Sequence, residues 1–506
     1  MVRTQISATK CPLPPGRAAA IPTFDTCRTR FADRLELAEV KDPYAKRPAN
    51  GPPHTVEQQD RGDRHPKGWR LVLAVFLPFA AGYYLSFLFR TINAAISPTL
   101  ASEFGLDAAK IGLLASVYFL VFAGAQIPIG VLLDRFGPRR VQGVLLVMAA
   151  GGTSLFGTAT GFSELLAGRA LIGLGVAASL MAGLKAIVIW FPKERIALVN
   201  GCMIMLGSLG AVTATAPTDW MLEWVGWRSL FELLTLATVT FAGVVYFTVP
   251  EKAAASAGST TFRRQLTVWS VFADARFLRL APLSAACIGS SWALQSLWAA
   301  PWLTDVEGLD RPSLIKQLLI MALGLSFGAL VLGVIADRLR KRGVTADVLV
   351  AVLGGLFIAA EFALVLRVPL PSLLPWCIVS VTGAATVLSY AMIAEYFPQE
   401  LAARANGALN LVHFGWAFAI QYGVGLVVGQ WLPQDGHYPV VAYQVAFGLS
   451  AAFQAVALLW FAGPWIRNLS MNLYAWFARP RTDREIAFVA IPIQGAMFDT
   501  HEATEW

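Results

Sequence analysis

Long apolar runs dominate the chain from Trp69 to Pro464, and short polar or basic stretches interrupt them at intervals. Twelve runs stand out, at 69–97, 111–133, 141–159, 163–190, 198–220, 228–249, 277–299, 313–336, 346–366, 372–395, 404–430 and 439–463. Each suits a helix of about 20 residues that crosses the hydrocarbon layer, the longer ones with tilt. The pattern predicts an all-α membrane protein with twelve transmembrane helices. A soluble core could not absorb this much apolar sequence: 56% of the 506 residues are hydrophobic, 14% are charged, and the mean hydropathy is +0.58.

One polar interruption organises the others. Gly130-Val-Leu-Leu-Asp134-Arg135-Phe-Gly137-Pro138-Arg139-Arg140 closes the second run and opens the third as a tight basic turn. Gly333-Val-Ile-Ala-Asp337-Arg338-Leu-Arg340-Lys341-Arg342-Gly343 does the same between the eighth and ninth runs, with the Asp-Arg pair shifted by 203 positions. After the fourth run stand Phe191-Pro192-Lys193-Glu194 and Asn200-Gly201; after the tenth stand Phe397-Pro398-Gln399-Glu400 and Asn406-Gly407, shifted by 206. Two independent matches at nearly one offset imply two parallel six-helix repeats. The expected domains are a bundle over 69–250, a linker over 251–276 and a second bundle over 277–466. Residues 1–68, rich in Pro and charge, are expected to form a disordered tail. They hold no apolar stretch long enough for a secretory signal core, so a cleaved leader is not expected; a mis-assigned start codon is the bland alternative. Residues 467–506 form the other expected tail.

Charge changes the picture by its distribution. One set of loops holds Arg135, Arg139, Arg140, Arg263, Arg264, Arg338, Lys341 and Arg342 among others, whereas the opposite set and its margins hold only Lys110, Arg228, Arg311, Lys316 and Arg367. The positive-inside rule puts the basic side, and with it both termini, in the cytoplasm. The net charge of +8 is thus a matter of sidedness, and no nucleic-acid partner is expected. Cys11, Cys27, Cys202, Cys287 and Cys377 show neither disulfide nor metal-ligand spacing, so no metal or other cofactor is expected.

The twelve runs, the linker and the Gly-x-x-x-Asp-Arg-x-Gly-x-Arg-Arg loop together resemble the major facilitator superfamily of secondary transporters. Arg169-x-x-x-Gly173-x-Gly175 in the fourth run and Gly226-Trp227-Arg228 before the sixth add to the resemblance. It implies two pseudo-symmetric six-helix bundles that rock about a central site, a small-molecule substrate, a coupling proton or a counter-substrate, a monomer in the lipid of a bacterial inner membrane, and no enzymatic activity. It also implies that Asp134 docks at the amino end of the eleventh helix when the inner side is closed. That makes a gate of Gly130, Asp134, Arg135, Gly137, Arg139 and Arg140, mirrored by Gly333, Asp337 and Arg338. Physically, Gly130 would let a neighbouring helix approach closely, and Gly137-Pro138 would make the turn. The fifth run reads Gly207-Ser-Leu-Gly210-Ala-Val-Thr-Ala-Thr-Ala-Pro217 where drug/proton antiporters carry Gly-x-x-x-Gly-Pro-x-x-Gly-Gly, which weakens the alternative of drug or metabolite efflux. Tyr83-Tyr84-Leu85, Arg90, Asn93 and Lys185 are similar to organophosphate:phosphate antiporters and organic-anion symporters, which implies an anionic organic solute. A transporter-like solute sensor signalling through its tails is a further alternative.

The candidate chemistry is sparse. Arg90 is the one charge between Leu71 and Leu100 and should lie about 7 Å from the middle of its helix, deep enough to bind or gate an anion, or to snorkel outward. Lys185, about 10 Å to the other side of centre, could pass an anion on or snorkel to the inner mouth. Tyr84 stands near Arg90 in sequence. Trp292, Gln295 and Trp298 recur at helical spacing, as a ligand-lining wall or as ordinary packing. Asn410 and His413 share a helix face; the histidine could titrate near neutral pH or sit neutral in interhelical bonds. The resemblance implies that Arg169, about one turn into the fourth run, is buried and bonded to facing-helix carbonyls or takes part in coupling; a purely structural role is the alternative. Glu361 is expected near the outer rim of the ninth helix and Glu395 at the inner end of the tenth, so no carboxylate announces itself at mid-membrane.

Overall fold

The computed structural model describes residues 68–250 and 270–478. The expected amino-terminal tail, most of the linker (251–269) and residues 479–506 lie outside the described residues. Regular structure within the described residues is helical throughout, as lipid demands: no water is present to satisfy an unpaired backbone group.

Helix α1 is Trp69–Thr91 and continues after Ile92 as Asn93–Phe104. The fifty residues Ala108–Gly157 form α2 (108–136) and α3 (138–157), which meet at Gly137, where φ is 79°. Helix α4 is Phe162–Trp190 and α5 is Ile196–Thr213. Ala216–Thr248 completes the fifth crossing up to Gly226, φ 73°, and then forms α6 (227–248). Helix α7 is Ala275–Asp305, α8 Arg311–Arg340, α9 Ala346–Val365 and α10 Leu373–Tyr396. Helices α11 (Gln399–Val428) and α12 (Val440–Ala478) complete the twelve crossings expected from the apolar pattern. At Gly137 and Gly226 the left-handed backbone is one that only glycine adopts without strain.

The duplication is visible in the backbone. Phe191 and Phe397 both leave their helices in an extended conformation, ψ 148° in each, as a following proline requires. Gly137 and Gly343, also 206 positions apart, both take left-handed values, 79° and 87°. Helices α4 and α10 are both interrupted near mid-length, after Val176 and after Gly383.

Three boundaries differ from expectation. The fifth run breaks at Ala214–Thr215 instead of continuing to 220. Helix α11 begins at Gln399, five residues early, because Pro398 suits the position before a helix. Helix α12 continues through Pro464 to Ala478, so the tail expected from 467 begins inside a helix.

Large apolar side chains such as Phe247 (81% exposed) and Leu236 stand on the outside, where lipid would meet them. Helix α7 is the most enclosed, with 83% of its apolar window buried. The two bundles meet most closely at the end that carries Asp219. Arg311 pairs there with Asp219, the Ala108 amide donates to the Tyr438 hydroxyl at 3.0 Å, and α2 packs against α11 through glycine. A Cβ on Gly425 would stand 2.7 Å from the Ala108 carbonyl oxygen, and one on Gly112 would stand 3.1 Å from that of Gln421. Among the described residues, nothing lies within 4 Å of the corresponding point on Gly130 or Gly333. The close helix approach expected at Gly130 is therefore not made in this conformation, while the opposite end of α2 does make one.

Candidate functional site

Between the bundles lies a cavity of about 90 Å³ whose wall draws on α1, α2, α4, α5, α7, α8, α10 and α11. Arg90 points into it. Tyr83, Ser86, Phe87 and Arg90 recur at the i, i+3, i+4, i+7 spacing that lines one helix face, and all four belong to the wall. The guanidinium of Arg90 is sandwiched by aromatic rings, 4.0 Å from the Phe87 centroid and 4.9 Å from that of Trp292. Among the described residues, no hydrogen bond or ion pair reaches it. A buried, unneutralised cation with five donors is costly to hold in a membrane protein, and it is a ready-made anion receptor.

The wall is tied together across the bundles. Tyr390 donates to Asn410 Oδ1 at 2.8 Å, and Asn410 donates to Gln126 Oε1 at 3.1 Å, linking α10 and α11 to α2. Phe122 of α2 stacks on Phe414 of α11, centroids 3.9 Å apart, and Trp292 lies 4.9 Å from Phe414. Trp292 sits between two π-helical turns of α7, Ala285–Gly289 and Leu294–Trp298, which re-aim the residues around it. Beside it Gly289 lets α7 approach α11, since a Cβ there would stand 2.7 Å from the His413 carbonyl oxygen.

The structure brings Arg90, Trp292 and Asn410 together and leaves the other candidates outside the wall. Lys185 turns away: its Nζ bonds the Leu133 carbonyl at 2.7 Å and Asp134 Oδ1 at 2.8 Å, within its own bundle. Tyr84 is one residue, and so about 100° of helix rotation, from Tyr83, and its hydroxyl donates to Thr213 at 2.7 Å. Gln295 lines a separate space of about 20 Å³ with Thr91 and Thr215. Trp298 donates to the Gln421 carbonyl at 3.0 Å in the glycine junction of α2 and α11. His413 stands behind Trp292, ring centroids 5.8 Å apart, with Nε2 2.8 Å from Ser284 Oγ.

Arg169 is fully buried with its guanidinium 5.1 Å from the Tyr118 ring, and among the described residues none of its three nitrogens has a hydrogen-bond partner, in place of the expected carbonyl bonds. Glu361 does not face the rim. It is fully buried and accepts a 2.6 Å bond from Gln454 of α12, because a polar partner on the facing helix draws it inward. Glu395 is exposed, 3.7 Å from Arg340. In the Asp134 loop, Arg139 donates to the Tyr246 carbonyl at 2.7 Å and Arg135 lies over Phe136. In its counterpart Asp337 pairs with Lys341 at 2.7 Å, and Arg338 is exposed. Of the tyrosine pair that carried the resemblance, the structure selects Tyr83 for the wall instead of Tyr84, and sequence reasoning missed Gln126 and Tyr390, whose signal was a polar or phenolic residue inside an apolar run.

The Major Facilitator Superfamily model matches residues 79–421, two thirds of the chain. The chain belongs to the major facilitator superfamily. It is therefore an integral membrane protein of a family of transporters, and its helices follow that superfamily's fold. A bacterial homolog of the human lysosomal transporter Spinster, solved in an inward-facing and unoccupied conformation, superposes with a TM-score of 0.62 at 18% identity, covering 78% of this chain and 96% of that one. The D-xylose-proton symporter superposes with a TM-score of 0.59 at 14% identity, covering 76% and 97%. At these identities the likeness concerns the fold alone. Among curated superfamily relatives, the nitrate/nitrite transporter NrtP of Picosynechococcus is 33% identical over 129 residues, 26% of this chain and 24% of that protein. The probable L-galactonate transporter of Escherichia coli is 27% identical over 307 residues, 58% of this chain and 68% of that protein. The 4-hydroxybenzoate transporter PcaK of Pseudomonas aeruginosa is 29% identical over 192 residues, 37% of this chain and 41% of that protein. The chain thus spans less than two thirds of the length of NrtP and of PcaK.

Proposed function

We propose that this superfamily member is a secondary transporter of a small organic anion, working by alternating access, with the Asp134 end in the cytoplasm of a bacterial inner membrane. The observation that carries the cargo class is Arg90, a buried cation facing the space between the bundles to which no described residue offers a hydrogen bond or ion pair. The names of the relatives support the charge of the cargo, since nitrate is an anion, and galactonate and 4-hydroxybenzoate are organic ones. Loop charge supports the orientation. The packing of the bundles at the Asp219 end supports a state closed on one side, with the cavity to be reached from the other. The solute-sensor alternative drew on the tails, which lie mostly outside the described residues.

The test is uptake of radiolabelled organic acids and of neutral analogues into proteoliposomes. Hydrogen bonds to a charged group are worth about 1.5–3 kcal/mol, so Arg90→Gln should weaken apparent affinity for the anion by roughly ten- to 150-fold. Arg90→Lys, which keeps the charge and loses the planar fork, should fall between. Saturable uptake of neutral solutes alone, unchanged by Arg90→Gln, would overturn the proposal.

A further inference from the structure

The cavity wall offers less hydrogen bonding than its composition suggests. Tyr390, Asn410 and Gln126 form a chain that ends when Gln126 Nε2 donates to the Phe122 carbonyl at 3.1 Å. Ser208 donates to the Met205 carbonyl at 2.8 Å and Thr386 to the Gly383 carbonyl at 2.7 Å, each within a helical turn. Ser86 pairs with the Tyr118 hydroxyl at 3.2 Å, and Trp292 Nε1 points at the Gly383 carbonyl, 3.4 Å away. Among the polar side chains of the wall, only the Arg90 guanidinium and the Tyr83 hydroxyl make no hydrogen bond to a described residue. The remainder is apolar or aromatic, with rings contributed by four helices: Phe87, Phe122, Trp292 and Phe414.

A solute hydroxyl gives up its water on entering such a space and recovers the bond only where the wall has a group to spare. The wall's other hydroxyls have already committed their protons, so beyond the second N–H of Asn410 the donors it can spare are one cationic fork and one phenol. From that census we infer that the cargo is an aromatic monocarboxylate: a flat apolar body with one carboxylate and at most one further polar group, not a polyhydroxylated sugar acid. The inference rests on the anion reading of Arg90 and narrows it. Arg90 takes the carboxylate in bidentate fashion, and Phe87 and Trp292 flank the guanidinium and keep water from it. Phe122 and Phe414, stacked on each other in the same wall, add apolar surface for an aromatic body, and Tyr83 is left for a ring substituent. The assignment groups this chain with its relative named for 4-hydroxybenzoate and parts it from the relative named for galactonate.

The discriminating experiment measures ligand-induced thermal shift and binding affinity on the purified full-length protein with benzoate, D-glucuronate and benzamide. Benzoate should raise the unfolding midpoint in a dose-dependent way. It should bind at least about tenfold more tightly than glucuronate, whose hydroxyls would be left without partners. Trp292→Leu should weaken benzoate binding, and Arg90→Lys, which retains the charge and so tests the site without removing it, should weaken benzoate while preserving its lead over benzamide. A shift with glucuronate and none with benzoate overturns the aromatic assignment and leaves the anion reading standing. Equal binding of benzamide and benzoate, unaffected by Arg90→Gln, overturns both.

Discussion

Replacing Gly425 with alanine probes the junction that closes the Asp219 end. The added methyl would stand 2.7 Å from the Ala108 carbonyl oxygen, 3.2 Å from Gly112 Cα and 3.3 Å from Trp298 Cζ2. Two of those neighbours are backbone in another helix, so relief requires α2 and α11 to separate. Overpacking of this kind costs about 1–3 kcal/mol. The helix-propensity gain of alanine over glycine, about 1 kcal/mol, is present whether or not the bundles are parted at this end, so it cancels. The strain is present only in the closed junction, and the equilibrium should move toward the parted form by roughly five- to 150-fold. A cysteine at Ala115, buried beside a small space at this junction, reports the parted form through its rate of modification by an impermeant maleimide, with the native cysteines replaced by serine. Labelling in Gly425→Ala should accelerate by about fivefold or more under conditions where opening and closing are fast compared with labelling. An unchanged rate in a variant that remains folded by its thermal midpoint would refute the idea that this glycine contact governs closure.

Two further perturbations follow from the geometry. Lys185→Ala removes a half-exposed pair with Asp134 and no cavity contact, so stability should fall by no more than about 1 kcal/mol, and equilibrium binding of the transported anion at Arg90 should be nearly unchanged; a tenfold loss of affinity would return Lys185 to the binding site. At the opposite end, burial would raise the Glu103 carboxyl, but hydrogen bonds from Trp227 and Arg228 hold it below the usual carboxylate range. A depressed carboxylate contributes stability above its unfolded pKa and loses it as pH falls through the folded value. The midpoint gap between wild type and Glu103→Gln should therefore be full at neutral pH and shrink in acid below the ordinary carboxylate range; a gap independent of pH would count against the ion pair.

Much of the architecture follows from local rules and was legible for that reason. Apolar run length marks the crossings, because lipid admits few other spanning structures, and the paired punctuation at Asp134 and Asp337 marks the duplication. Glycine at 137 and 226 announces turns that other residues could make only with strain. The choice of Arg90 needed no structure either, since a lone charge inside a span stands out against its neighbours.

Which side chains share a space was decided by packing. Tyr83 and Tyr84 are adjacent in sequence and chemically the same, yet one lines the cavity and the other bonds Thr213, because the rotation of α1 against α5 sets the difference. Lys185 and Asp134 lie fifty-one residues apart, and only the approach of α4 to α2 shows that the lysine is already occupied. By sequence Glu361 reads as a rim residue, whereas Gln454, on a helix more than ninety positions away, draws it into the interior. Some of the hydrogen bonds that engage the wall, from Tyr390 to Asn410 and from Asn410 to Gln126, cross between helices in the same way. Sequence by itself determined the spans, their duplication and the depth of the Arg90 cation, because each depends on residues close together along the chain. Only the tertiary structure decided what that cation faces, since partners are assigned by helix rotation and interhelical distance, which no local pattern encodes.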